Sequence, residues 1–282
     1  MKAYLALTKP RITWLILMST AVGFFFGARS WDTLALVWTL AGTGLLASGT
    51  ATLNQWWERD ADARMRRTRR RPLPSGEISP GRALAWGVAL AGAGFGVLAA
   101  GVNLVAALLG LFTLLSYLLA YTPLKRRSPQ STTVGAIPGA MPPLIGYAAA
   151  HGSLTAEAWI LYAILFLWQF PHFYSIAWLY RDDYASAGIK MKPVVEPTPE
   201  GTARLIVWSC LLLIPVSLAP SFFSMTGRLY LVGALLLGFG FLYSGLRAAF
   251  ERTLAQARGV LVASVVYLPL LYALMLIDRR GL

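Results

Sequence analysis

Apolar windows long enough to cross a bilayer recur nine times along this chain, near residues 12–28, 34–55, 83–101, 103–121, 132–150, 158–180, 205–224, 229–249 and 260–277. A spanning helix needs roughly 20 apolar residues. Backbone N–H and C=O groups find no water in hydrocarbon, which excludes open strands and leaves helices. The expected fold is an all-α integral membrane protein, with nine transmembrane helices in a single membrane-embedded domain over residues 1–282. Composition agrees: 57% of the residues are hydrophobic, only 13% are charged, and mean hydropathy is +0.59. A soluble domain would carry about 25% charged residues. The third and fourth windows are separated only by Gly101 and Val102, which predicts a tight hairpin. Pro142, Pro143, Pro171, Pro215, Pro220 and Pro269 predict kinks or breaks. Gly92, Gly94 and Gly96 predict close helix contacts.

Lys2, Lys9 and Arg11 ahead of an apolar stretch imitate a signal peptide. The stretch from Ile12 to Ala28 is too long for a signal core and lacks a good cleavage site, so it reads as the first membrane helix. Cys210 is alone, which excludes an intrachain disulfide framework and any CxxC metal site.

The net charge of +13 raises the question of nucleic acid, but the basic residues sit in short loops between apolar runs, so no nucleic-acid partner is expected and membrane lipid is. With nine spans, 21 of the 25 Lys and Arg residues fall on the side of the N-terminus, leaving Arg29, Arg228, Arg279 and Arg280 on the other. The positive-inside rule then puts the N-terminus in the cytoplasm and the C-terminus outside. With no transit sequence, a bacterial plasma membrane is the expected location.

Chemistry-bearing residues gather on the cationic side, in three blocks. The first is NQWWERDADARMRRTRRRP, from Asn54 to Pro72. Asn54, Glu58 and Asp62 recur at steps of four, which on a helix advances each by about 6 Å along one stripe. Mg²⁺ prefers oxygen donors and is usually held by one or two carboxylates together with substrate phosphate, so the stripe could hold a metal. It could equally be a solvated helix end with intrahelical pairs such as Asp62 with Arg66. The arginines that follow could bind anionic lipid, while one or two could reach a diphosphate through the guanidinium fork. Lys125 and Arg126 in YTPLKRR, and Lys9 and Arg11 in LTKPRI, admit the same two readings.

The third block is WQFPHFYSIAWLYRDDYASAGIKMKP. His172 is either a hydrogen-bonded core residue or a ligand. Asp182 and Asp183 either hold a second Mg²⁺ or cap the next turn. The run Phe170, Phe173, Tyr174, Trp178, Tyr180 and Tyr184 is an interfacial belt or a pocket wall whose ring faces shield a carbocation. There is no GxSxG, HExxH, P-loop or dinucleotide fingerprint, and two histidines exclude a histidine-rich metal site. A transporter would show polar groups at mid-membrane in several helices, and this chain has few.

The Asn54–Asp62 stripe with its RRTRRRPLPSG tail resembles the first acidic motif of the UbiA-type intramembrane prenyltransferases. LTKPRI, YTPLKRRSPQSTTVGAIPGAMPPLIGY and the PHF and YRDDYxxAGIxM segments resemble, more narrowly, the branch of that family that farnesylates haem. The likeness runs from Leu7 to about Pro193. It implies a helical bundle around a central cavity, with farnesyl diphosphate and haem B as substrates, haem O as product and Mg²⁺ as cofactor. A haem A synthase or an oxidase-assembly protein would be a fitting partner.

By position, the resemblance makes Asn54, Glu58 and Asp62 the catalytic metal ligands, with Asp182 and Asp183 in place of the second acidic motif. Arg67, Arg71, Lys125, Arg126 and Arg11 would contact diphosphate, and His172 and Tyr180 would complete the substrate pocket. The chain departs from the family pattern where Trp178 stands four residues before Asp182, a position often acidic, and where Glu58 replaces the more usual aspartate. Three other readings remain open: a relative acting on an aromatic or quinone precursor, a lipid transporter, and a non-catalytic assembly factor for a haem–copper oxidase.

Overall fold

The computed structural model describes residues 1–280, and these are helical almost throughout. A short helix α1 (Lys2–Leu7) precedes α2 (Pro10–Gly27), α3 (Thr33–Asp62) and α4 (Pro80–Gly101). After a two-residue turn, α5 (Leu104–Leu115) runs into a π-helical turn (Ser116–Tyr121) and a last turn, α6 (Thr122–Leu124). Then come α7 (Ser131–Gly139), α8 (Met141–His151) and α9 (Ala156–Leu179). Two short helices, α10 (Arg181–Ser186) and α11 (Lys192–Val195), lead to α12 (Glu200–Phe222), α13 (Arg228–Glu251) and α14 (Leu254–Ile277).

Eight of the described helical stretches are long and apolar enough to cross a membrane. The fifth of the nine expected spans is instead two shorter helices, α7 and α8, meeting at Ala140. The prolines explain the break. Pro142 and Pro143 occupy the first turn of α8, where a missing N–H is harmless, and would disrupt a continuous helix. Pro171, Pro215, Pro220 and Pro269 end no helix; they lie inside α9, α12 and α14, where packed neighbours compensate the lost bond.

α2 packs so closely on α8 that a Cβ at Gly23 would overlap the Pro143 carbonyl, and one at Gly146 the Thr20 carbonyl. Of the glycine trio on α4, only Gly94 makes a close contact, against α3; Gly92 and Gly96 face open space. The main core gathers Tyr147, Leu161, Ile164, Ile206, Leu213, Tyr230 and Tyr267 from α8, α9, α12, α13 and α14. A smaller one joins Leu46, Leu53, Leu98 and Leu114 from α3, α4 and α5.

The loops sort to two ends. At one end Arg29 meets His151 (3.3 Å), Arg279 donates to the Ala28 carbonyl (3.0 Å), and the Tyr230 N–H donates to Asp278 (2.7 Å). Lys9, Arg71 and Lys125 converge at the other. The sparse and dense sides of the charge partition are therefore opposite ends of the bundle. α3 has 30 residues, about 45 Å at 1.5 Å per residue, longer than a hydrocarbon core of about 30 Å. Its excess length carries Asn54, Glu58 and Asp62 to the cationic end.

Candidate functional site

All three oxygen-bearing side chains of the α3 stripe turn inward; Asn54 and Asp62 are each 2% exposed. Each of the three already faces a cation from another segment. Lys9 Nζ donates to Asn54 Oδ1 (3.2 Å). Lys125 Nζ donates to both oxygens of Glu58 (2.9 and 3.0 Å). Arg71 Nη1 donates to Asp62 Oδ2 (2.7 Å). The Asn54 amide nitrogen donates to Glu58 Oε2 (2.9 Å) and Thr122 Oγ1 (3.3 Å), tying the stripe into one network.

Three cations meet two carboxylates here, and the imbalance shows in protonation. Burial, reinforced by the charges of Arg71 and Lys125, lowers the Lys9 ammonium to about 7. Burial is the largest single influence on Lys125 and opposes its charge, but Glu58, Tyr121 and Tyr117 together outweigh it and hold that ammonium above its ordinary value. Lys9 is thus the cation without a carboxylate of its own. Its backbone is left-handed (φ 49°) immediately before Pro10, a conformation that costs on the order of 1–3 kcal/mol and that turns α1 into α2 with the side chain directed at Asn54.

The segment Ala63–Ile78 is a chain of turns folded back over the site, with Thr68 donating to the Asp62 carbonyl (2.8 Å). Arg71 points in, while Arg64, Arg66, Arg67, Arg69 and Arg70 are exposed. Arg67 lies over the rings of Tyr180 (5.0 Å) and Tyr184 (6.0 Å). Asp183 accepts the backbone N–H groups of Arg66 and Arg67 (3.2 Å each), and Ser186 donates to the Arg64 carbonyl (3.2 Å). The Lys190 N–H donates to the Lys125 carbonyl (2.7 Å). Met65, Ala177, Ala187, Ile189 and Met191 bury a small apolar patch beneath. The loop after α3 and the loop after α9 therefore form one roof.

Beside the cluster is a hollow of about 90 Å³ bounded by Tyr117, Tyr121, Gly135, Gln169, Phe173 and Met191. The π turn aims both tyrosines at it, and π turns recur at functional sites. Their rings meet edge to face at 5.0 Å, and Lys125 Nζ stands 4.4 Å from the Tyr121 ring centre. A Cβ on Gly135 would press into that ring. The hollow is smaller than the roughly 300–1,000 Å³ of a ligand pocket, so a prenyl chain fits only by displacing side chains or extending between helices toward lipid.

The structure brings together Lys9, Asn54, Glu58, Asp62, Arg71 and Lys125, and adds Thr122, Tyr117 and Tyr121. Arg11 and Arg126 are exposed and make no hydrogen bond or ion pair with the cluster. Asp182 is exposed, and Tyr180 lies on the roof beneath Arg67. His172 shares a hydrogen bond with Ser264 of α14 (2.8 Å) and stacks on Trp168 (4.7 Å), apart from the cluster. Among the described residues no group of three His, Cys, Asp or Glu side chains is arranged to hold a metal unaided. The donor set nonetheless suits a hard cation: one amide and two carboxylate residues on one helix face, with phosphate to complete the shell.

A sequence profile described as the UbiA prenyltransferase family matches residues 16–277. The protoheme IX farnesyltransferase of Solibacter usitatus (strain Ellin6076) is 65% identical, covering 100% of both chains. The apo structure of a UbiA homolog from Aeropyrum pernix K1 superposes with a TM-score of 0.76 at 20% identity, over 94% of this chain and 96% of that one. A UbiA homolog from Archaeoglobus fulgidus bound to GPP and Mg²⁺ does so with a TM-score of 0.65 at 19% identity, over 97% and 99%. At these identities the two structures speak for the fold.

Proposed function

Because this chain belongs to the UbiA prenyltransferase family, we propose that it transfers the farnesyl group of farnesyl diphosphate to a vinyl group of haem B, giving haem O and diphosphate. The observation that carries the haem assignment is the 65% identity, over both full lengths, to the protoheme IX farnesyltransferase of S. usitatus. The chemistry rests on the buried cluster of oxygens and cations beside an aromatic hollow.

Lys9, Arg71 and Lys125 would turn from Asn54, Asp62 and Glu58 to the diphosphate oxygens, where negative charge grows as the allylic C–O bond lengthens. In a buried setting each such donor contributes several kcal/mol to the transition state. A Mg²⁺ ion held by Asn54, Glu58 and Asp62 would supply Lewis-acid neutralisation of the same leaving group. Tyr117, Tyr121 and Phe173, which line the hollow, would shield the allylic cation through their π faces. The vinyl group's terminal carbon bonds to farnesyl C1, and water adds to the cation left on the haem side and loses a proton. No protein nucleophile is needed, in keeping with the absence of a triad. Asp182 and Asp183 would serve a second ion only if Asp183 released the backbone N–H groups it now accepts.

The experiment is pyrophosphate release with farnesyl diphosphate, Mg²⁺ and either haem B or 4-hydroxybenzoate, on purified wild type, Glu58→Gln and Asp62→Asn. Haem-dependent release in wild type and its loss in both variants are expected. Release only with 4-hydroxybenzoate would replace haem by an aromatic acceptor, and wild-type rates in both variants would remove the metal site.

A further inference from the structure

A second and larger hollow lies outside the bundle, between α1 and the first turns of α4. It is a shallow groove of about 880 Å³, open on its outer side and walled by Tyr4, Leu5 and Trp86 over a floor of Ala85 and Ala89. Leu7, buried with Leu73, Ile78 and Ala83, anchors α1 beneath the groove, whereas Leu5 is 61% exposed. Tyr4 meets Trp86 edge to face at 5.6 Å. Arg82 stands one turn before the alanine floor, at the cationic end of the bundle, and among the described residues it makes no ion pair or side-chain hydrogen bond.

We propose that this groove binds an anionic phospholipid, one acyl chain lying on Ala85 and Ala89 and its phosphate held by Arg82. The bilayer supplies alkyl chains to any apolar slot on its side of the protein, so the slot alone selects nothing. Selection comes from charge. Arg82 is an uncommitted guanidinium, whose fork matches phosphate oxygens. Beside it the first N–H groups of the 22-residue α4 lack intrahelical acceptors. Thr8 lines its inner edge and is followed directly by Lys9, so an occupant would brace the turn that delivers Lys9 to Asn54.

The test is native mass spectrometry of the full chain in detergent, titrated with phosphatidylglycerol or phosphatidylcholine. Arg82 and Ala89 are both exposed, so substitutions there leave the core packing alone. Wild type should retain phosphatidylglycerol in preference to phosphatidylcholine. Arg82→Ala should weaken phosphatidylglycerol about five-fold and leave phosphatidylcholine unchanged. Ala89→Trp, which fills the slot and keeps the charge, should weaken both. Equal phosphatidylglycerol retention in all three proteins would overturn the proposal. So would a dimer in wild type that Ala89→Trp converts to a monomer, since the occupant would then be a second copy of the chain.

Discussion

Two lysines decide how the cluster rests. Lys125 and Glu58 form a pair that is 11% and 14% exposed at the side chains, and removing one partner of such a pair strands a buried charge. Lys125→Met should therefore destabilise the protein by about 3 kcal/mol, while the double variant Lys125→Met/Glu58→Met should recover most of that loss. Thermal unfolding in detergent separates the two outcomes, and equal loss in both would mean that packing, not charge, holds the site. Lys9 is different, having no carboxylate of its own. Lys9→Ala should lower kcat by roughly 10²–10³, the effect of losing one donor to a developing oxyanion, with Lys9→Arg restoring part. A turnover unchanged in Lys9→Ala would exclude it from the reaction.

The stripe at steps of four was legible because a helix fixes the spacing, but the same spacing suits a solvated helix end, and only the packing turns Asn54 and Asp62 inward. The choice of Lys9 over Arg11 was not legible. Two residues apart at a helix start, they diverge only because residue 9 adopts a left-handed backbone, which no pattern of polarity announces.

Among the elements, hydropathy found every apolar window but measured mean polarity, not continuity. Hence the α7–α8 break at Ala140 stayed hidden inside one window, although Pro142 and Pro143 pointed to it. The π turn was invisible too: one extra residue between Ser116 and Tyr121 changes the helix phase without changing composition. The roof depended on contacts between loops more than 115 residues apart in sequence, Asp183 with Arg66 and Arg67. Hydrogen–deuterium exchange tests that contact. Asp183→Ala should raise exchange across residues 64–70 in the absence of any ligand; a pattern identical to wild type would leave Asp183 a role only when metal is bound.

For the whole molecule, the placement of 21 basic residues at one end and four at the other predicts a cytoplasmic N-terminus and an external C-terminus. Single cysteines at Arg69 and Arg228, in a background with Cys210 replaced by Ser, should be labelled from opposite faces of sealed vesicles. Labelling from the same face would break the topology. The membrane class, the helical fold and the family resemblance were all readable from composition and motifs. The size of the interior hollow was not, because it depends on how Phe173 and the two tyrosines rotate into a space their sequence positions do not define.

The mutual engagement of Lys9, Arg71 and Lys125 with Asn54, Asp62 and Glu58 has a consequence for the order of events. At rest the machinery is its own counter-ion, able to idle in a poorly hydrated recess. Loading becomes a change of partners, and a visitor bringing only one sign of charge must break a contact without replacing it. A divalent metal alone or a naked diphosphate should therefore be a poor guest, and the two together a good one, so that the cycle begins with their joint arrival.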